Sequence, residues 1–153
     1  MSGVKVISTN RKARFEFHIE DTLEAGLVLT GTEIKSVRQA KVSLQDAYVI
    51  FRHDEAWIVN LYIAPYDHAT LENHEPRRTR KLLMHRREIE RWDVEVSQRG
   101  YTCIPTQLYL KRGRAKVEIA LAKGKKLHDK RQTIAERDAK RRMDRAKRDF
   151  NRR

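Results

Sequence analysis

The residues that could carry acid–base, nucleophilic or metal chemistry are scattered along this chain and do not converge on one motif. The six histidines show no HExxH spacing, and the single cysteine, Cys103, supplies too few thiolates for a disulfide framework or a cysteine-based zinc site. His68 and His74 flank an acidic loop, for which solvated polarity is a better interpretation than a metal site. His128 and Asp129 could form a base with its orienting acid, but adjacent residues outside a folded core are poorly placed to preorganise a site. The sequence therefore predicts no enzyme, no metal site and no cofactor.

Binding chemistry is better represented, because the chain is strongly basic. Its 153 residues include 34 Lys and Arg against 21 Asp and Glu, which gives a formal net charge of +13. Such an excess favours a polyanionic partner, and RNA, DNA and an anionic membrane surface all stay open at this point. No stretch approaches the roughly 18 consecutive apolar residues of a membrane span, and the first residues lack the apolar core of a secretory signal. We therefore expect a cytoplasmic protein with no membrane-spanning segment.

Three groups of residues are candidates for contacts with a nucleic acid. Cations that can neutralise phosphates precede a strand-like segment and recur before a helix-like one, at Arg11, Lys12, Arg14, Arg80 and Lys81. Asn10 adds an amide to the first group. Glu24 lies two residues before Gly26, where the missing side chain lets a partner approach the backbone closely. The Glu24 carboxylate can accept a hydrogen bond from a base amino group.

The elements that must position these residues are mainly β. Alternation of apolar and polar residues predicts a half-buried strand at residues 13–20, and about five more strands at residues 26–30, 47–52, 56–63, 101–110 and 114–122. Helices are predicted at residues 32–39, with Thr32 as cap, and at residues 84–98, with Gly100 as the stop signal. Six short strands with two or three short helices favour a small closed barrel of the OB type.

Residues 123–153 form a separate cationic tail after this predicted domain of residues 1–122. The tail holds 14 basic and 5 acidic residues, so most of the excess charge lies in the last fifth of the chain. A narrow apolar stripe at helical spacing runs through Ala135, Ala139, Met143, Ala146 and Phe150. Because the stripe is thin and like charges repel, we expect a tail that is disordered until a polyanion binds it.

Four blocks of the sequence resemble the bacterial SsrA-binding protein (SmpB) family, and they occur in the family's order. They are NRKARFEF at residues 10–17, EAGLVLTGTEIKSVR at 24–38, RTRKLL at 78–83 and AKGKKLHDKR at 122–131. The resemblance implies a protein that binds the tRNA-like domain of transfer-messenger RNA (tmRNA, SsrA). It would deliver that RNA to stalled ribosomes for trans-translation, the rescue of the ribosome and tagging of the nascent peptide. A generic OB-fold translation protein is the alternative.

The resemblance also implies roles for individual residues. Asn10, Lys12, Glu24 and Leu83 match the surface that holds the tRNA-like domain, and Lys35 and Arg38 match the same surface less directly. A tail that becomes helical in the ribosomal decoding site is implied to start with Gly124, Lys125, Lys126, His128, Asp129, Lys130 and Arg131. Further partners implied are the rRNA of the small subunit and elongation factor Tu carrying the aminoacylated RNA.

Overall fold

The chain is mainly β in the computed structural model, which describes residues 3–69, 72–125 and 127–151. The elements in chain order are β1 (Val4–Thr9), α1 (Arg11–Glu16), β2 (Phe17–Leu27), α2 (Gly31–Arg38), β3 (Val42–Ser43), β4 (Tyr48–Arg52), β5 (Glu55–Val59), β6 (Tyr62–Ile63), β7 (Arg80–Leu83), α3 (Arg86–Arg99), β8 (Thr102–Lys111), β9 (Arg114–Gly124) and α4 (Leu127–Asn151). The prediction of a mainly β fold is confirmed.

Seven of the described strands form one antiparallel sheet in the order β1-β8-β4-β5-β7-β2-β9. Strand β9 also pairs with β8 along its length, from Thr102 opposite Ala122 to Lys111 opposite Arg114. The pairing therefore returns from the last strand of this order to the second. The two-residue strands β3 and β6 pair separately.

The hydrophobic core lies on the inner face of this sheet and is covered by two helices. Ile58, Leu82 and Val117 are buried there on alternate positions of β5, β7 and β9, as the two-residue period of a strand requires. Val37 from α2 and Trp92 from α3 join the same cluster. The outer face of β8, β9 and β2 is thereby left for other contacts.

The strand predicted at residues 13–20 is wrong for its first half, which is the helix α1. Asn10 caps this helix, since its side-chain oxygen accepts a hydrogen bond from the Ala13 N–H at 3.3 Å. The Asn10 N–H also donates to the Thr106 carbonyl at 2.8 Å. A contact across 96 positions is not visible in local alternation, and it fixes the chain where the helix begins. The strand pattern holds only from Phe17, where β2 runs without interruption to Leu27.

The separate strand predicted at residues 26–30 is wrong, since those residues are only the end of β2, which stops at Leu27, and the approach to α2. The other predictions agree with the structure within a few residues. Strands β4, β8 and β9 and helices α2 and α3 form where predicted, and Gly100 ends α3 with a left-handed φ of 74°. The cap of α2 is Thr30, not Thr32. Strands β1 and β7 were not predicted, and residues 56–63 divide into β5 and β6.

The tail is a 25-residue helix, α4, in the structure, whereas the sequence favoured disorder in the absence of a partner. Helix-forming residues without a proline or glycine run through the whole element, so local propensity favours the helix along its entire length. Strand β9 continues to Gly124, two residues beyond the end of the domain predicted at residue 122. The pairing of Gly124 with Phe17 brings the start of the tail beside the end of α1.

Candidate nucleic-acid interface

Helix α1 covers one end of the outer sheet face and carries the first group of predicted contacts. The Asn10 amide donates to the Pro105 carbonyl at 3.0 Å, which ties the start of the helix to β8. Ala13 is buried against Ile104, Ala120 and Ala122 on that face. With this side of the helix held against the sheet, the cations Arg11, Lys12 and Arg14 are exposed. Asn10 therefore has two roles: it holds α1 and its cations against the sheet, and it is itself one of the predicted RNA contacts.

Glu24 lies on the same outer face and is held by residues far away in the sequence. The Tyr109 hydroxyl donates to its carboxylate at 2.5 Å, and the Lys111 ammonium lies 3.4 Å from the same oxygen. These contacts hold the pKa of Glu24 below its usual range, the hydrogen bond from Tyr109 being the largest cause. Burial, reinforced by the hydrogen bond to the Glu24 carboxylate, raises the pKa of Tyr109. Glu24 is therefore an anionic acceptor fixed on an exposed surface.

A basic cleft surrounds this carboxylate at the β8–β9 hairpin. Its lining residues are Glu24, Lys111, Arg112, Arg114 and Lys116. These four cations are not among the residues that the sequence predicts as RNA contacts. The basic composition of the hairpin was the available signal, but only the pairing of β2 with β9 brings it to Glu24.

Leu83 lies on the same face, one strand beyond Glu24. In the sheet register, Tyr109 lies opposite Lys116, Lys116 opposite Gly26, and Gly26 opposite Leu83. A Cβ on Gly26 would meet that of Leu83 at 3.2 Å, so glycine leaves room for this side chain, which is 58% exposed. Leu83 therefore adds an exposed apolar contact beside the charged cleft.

From here on, the outer face means the outer side of β8, β9 and β2 together with the groups that lie on it: α1 with Asn10, Arg11, Lys12 and Arg14, the cleft around Glu24, and Leu83. Lys81, on β7, is half-buried and its ammonium is paired with Glu55 at 3.0 Å.

Arg80 is the clear exception among the predicted RNA contacts. Its side chain is 0% exposed and ion-paired with Glu33, which is also 0% exposed, and it donates to the Leu61 carbonyl at 2.6 Å. A guanidinium enclosed in this way has no surface to give to a partner. The burial of Arg80 argues against the RNA contact predicted for it, since the sequence shows that the residue is basic but not on which side of β7 it lies.

The partner of Arg80 is an ionised carboxylate inside the protein. Burial alone would raise the pKa of Glu33, but hydrogen bonds from the side chain of Arg78, the Thr30 N–H and the side chain of Arg80 outweigh burial and lower it to about 2. This cluster joins the start of α2 to β7. It is a structural feature of the core.

The remaining predicted contacts lie on α2. The Lys35 ammonium lies 5.3 Å from the centre of the Tyr66 ring, and Arg38 is exposed in the last turn. Within the described parts of the chain, neither shares a hydrogen bond or ion pair with the outer face.

The tail starts beside the end of α1, so the predicted RNA contacts of α1 and the predicted ribosome contacts of the tail lie next to each other. Gly124 ends β9, and Lys125 donates from its backbone to the Glu16 carbonyl at 2.7 Å and from its ammonium to the Arg14 carbonyl at 3.0 Å. Arg131 is exposed on α4. Lys126 lies outside the described residues, as do the side chains of His128, Asp129 and Lys130.

His74 and Cys103, two of the residues considered for chemistry, are held within the fold. His74 is hydrogen-bonded at 2.9 Å to the Ile63 carbonyl and at 2.9 Å to the Thr32 hydroxyl, so both ring nitrogens are used. Cys103 is buried, and burial raises the pKa of its thiol. The described residues contain no cluster of three or more His, Cys, Asp and Glu side chains that could hold a metal ion. No helix among them is long and apolar enough to cross a membrane.

An exposed basic sheet face with an acidic acceptor, continued by a cationic helix, defines a nucleic-acid-binding protein of the mainly β class. The family model described as SmpB protein matches residues 7–149. The chain belongs to the SmpB family.

Individual relatives match over almost their whole length. The SsrA-binding protein of Trichodesmium erythraeum is 54% identical over 145 residues, 94% of this chain and 93% of that protein. The SsrA-binding protein of Syntrophomonas wolfei is 51% identical over 150 residues, 98% of this chain and 96% of that protein. A chain solved in "tmRNA-SmpB: a journey to the center of the bacterial ribosome" aligns with a TM-score of 0.67 and 45% identity, over 78% of this chain and 85% of that one.

Proposed function

We propose that this chain binds the tRNA-like domain of transfer-messenger RNA through the outer face and delivers it to stalled ribosomes for trans-translation. The observation that carries the proposal is the match, over nearly the full length, to proteins named SsrA-binding protein. A solved relative described as tmRNA-SmpB in the bacterial ribosome supports both the RNA and the ribosome as partners.

The proposal includes a division of work within the outer face. Arg11, Lys12 and Arg14 neutralise phosphates, while the Glu24 carboxylate accepts from a base amino group and Leu83 packs against the RNA. Asn10 keeps α1 in place through β8. Lys35, Arg38 and Lys81 act at the edges of this contact, where their charge adds to affinity without specifying sequence.

The scaffold is proposed to be a closed barrel of the OB type. The support is the sequence of pairings β8-β4-β5-β7-β2-β9, which returns from β9 to β8. Closure would make the outer face rigid, since a strand with two partners resists bending away from either.

The tail is proposed to act on the ribosome, where its cations follow rRNA in the empty mRNA channel and decoding site. Gly124, Lys125, Lys126, His128, Asp129, Lys130 and Arg131 begin that segment. Elongation factor Tu would bring the aminoacylated RNA with the protein. The protein itself would make or break no bond, and its work would be cytoplasmic.

Competition binding tests the RNA contact. Labelled tRNA-like domain bound to the protein should be displaced by an RNA with the same elbow and much less by unstructured RNA of equal length. Equal displacement by both would favour the alternative, a generic translation protein that binds RNA without preference for an elbow. Cleavage of the labelled RNA in magnesium by pure protein would contradict the non-enzymatic assignment.

Truncation tests the division between core and tail. A chain ending at Lys125 keeps all of β9 and the contacts of Lys125 with α1. We expect affinity for the tRNA-like domain within a few-fold of the full chain and loss of rescue on stalled ribosomes in a reconstituted translation assay. A collapse of RNA affinity would mean that the outer face is not the main platform.

A further inference from the structure

The feature that carries a further inference is the junction between α1, the basic helix of the outer face, and the tail. The end of α1, the start of β2 and the end of β9 meet there, because Gly124 pairs with Phe17 directly after Glu16. Lys125 follows at once, and α4 starts at Leu127. A link this short gives the position of Lys125 a direct effect on where the tail helix starts.

Lys125 completes the C-terminal end of α1 with two separate groups. The last carbonyls of a helix have no partner within it, and α1 has only six residues, so these carbonyls are a large part of its hydrogen bonding. Lys125 satisfies the Glu16 carbonyl with its backbone N–H and the Arg14 carbonyl with its ammonium. A cation at this end also interacts favourably with the helix dipole.

A second contact joins α1 to the tail, between Phe15 of α1 and Arg137 of α4. The Arg137 guanidinium lies 5.6 Å from the centre of the Phe15 ring, so α4 leans on α1 through a cation–π pair. Helix α1 therefore exposes the cations Arg11, Lys12 and Arg14 and contacts the tail through its C-terminal half.

We propose that Lys125 is a positioning residue: its ammonium, bound to the end of α1, sets the direction of the tail helix and couples it to RNA held by the same α1. The inference rests on the proposed function, since it takes the RNA to bind at α1 and the tail to act on the ribosome. Phosphates on Arg11 and Arg14 steady α1, and a steadier α1 keeps the carbonyl of Arg14 in place for Lys125. RNA capture thereby narrows the range of directions that the tail can take.

Lys125→Met isolates this contribution, because methionine keeps the backbone N–H and an apolar stem and removes only the ammonium. Lys125→Arg restores a cation of similar reach. Lys123→Met is the matched control: it removes the same charge two residues earlier, where the ammonium lies 4.5 Å from the centre of the Tyr101 ring and not on α1. Arg137→Gln and its control Arg141→Gln, one turn further on the exposed surface of α4, test the second contact in the same way.

The readout is the distance distribution between two spin labels in the full chain, one at Ser97→Cys on α3 and one at Lys140→Cys on α4, both exposed. The native Cys103 is buried and does not compete for the label. With Lys125→Met we expect the population outside the wild-type peak to rise about two- to five-fold, the range given by a helix-terminal cation. Lys125→Arg and Lys123→Met should keep the wild-type peak.

Addition of the tRNA-like domain provides the part of the test that a merely structural residue would not affect. RNA should narrow the distribution in the wild type and in Lys123→Met but not in Lys125→Met, whose RNA affinity should stay within about two-fold of the Lys123→Met control. The same distribution and the same narrowing in Lys125→Met as in the wild type would overturn the inference.

Failure of the proposed function would look different. The wild type would then not bind the RNA at all, and the comparison of the three lysine variants without RNA would still decide whether Lys125 holds the tail. A wild-type distribution in Lys125→Met under that condition would overturn the anchoring step by itself.

Discussion

Two carboxylates of this chain, Glu33 and Glu24, are each held by basic and hydrogen-bonding side chains, and they have opposite uses. Glu33 is completely buried with Arg80 and joins α2 to the core, whereas Glu24 lies on the outer face with Tyr109 and Lys111. Both have a lowered pKa, so both are anionic near neutral pH. Charge and basic partners are therefore alike at the two positions. Only access to solvent separates Glu24, which we propose as an RNA contact, from Glu33, which joins α2 to the core.

The largest effect is expected from removal of the buried carboxylate. Glu33→Ala would leave Arg80 charged and unpaired inside the protein, which costs about 3–5 kcal/mol of unfolding free energy. Urea denaturation followed by circular dichroism measures this loss. Glu33→Gln, which keeps an acceptor oxygen, should lose less, and an equal loss in both variants would mean that packing rather than charge matters at this position.

The acid dependence of stability should follow the same residue. The pKa of Glu33 is about 2 in the folded protein and ~4.3 in an unfolded chain, so its contribution is complete above the higher value and is lost as the pH falls toward the lower one. Urea midpoints measured between about pH 5 and about pH 3 should therefore fall steeply in the wild type and less steeply in Glu33→Gln. Glu24→Gln should keep the wild-type slope more closely, because Glu24 is partly exposed and solvent screens its interactions. A wild-type slope in Glu33→Gln would assign the acid sensitivity to other groups.

Substitution of the exposed carboxylate should affect binding and leave the fold intact. Glu24→Ala removes an acceptor for a base amino group, worth about 1–3 kcal/mol, so the affinity for the tRNA-like domain should fall by roughly five-fold to a hundred-fold. The free energy of unfolding should change by no more than about 1.5 kcal/mol, because the contact with Lys111 is a surface one and the hydrogen bond from Tyr109 is only partly buried. Fluorescence anisotropy with labelled RNA measures the first effect, and Glu20→Ala, an exposed carboxylate earlier on the same strand, is the control. Equal losses in Glu20→Ala would show a general effect of charge.

The smallest effect is expected at the cations that surround Glu24. Arg114→Gln should weaken binding by a few-fold for all RNAs alike and reduce the slope of log affinity against log salt by about 1, as loss of one phosphate contact does. Arg99→Gln, at the end of α3 and paired with Glu95 at 3.2 Å, should leave the slope unchanged. A change in RNA preference with Arg114→Gln would instead assign that residue to base recognition.

Part of the fold and of the interface is predictable from the sequence because its causes are local. The β8–β9 hairpin follows from two β-rich runs joined by a short basic turn, and the end of α3 from a glycine that takes a left-handed φ. The basic character of α1 and the excess charge of the tail can be read directly from composition. The family resemblance could be read from the sequence because each of the four blocks is an uninterrupted run of residues.

The tertiary structure decided the features that depend on contacts between distant residues. Residues 11–16 become a helix because Asn10 is held by carbonyls of β8, about 95 positions away. Arg80 is buried because β7 directs its side chain inward to Glu33, 47 positions earlier in the sequence. Glu24 gains its partners only when β2, β9 and β8 lie side by side, 85 residues separating it from Tyr109. Local sequence sets propensity and charge, but which charge faces solvent is set by strand register, and register is a property of the whole sheet.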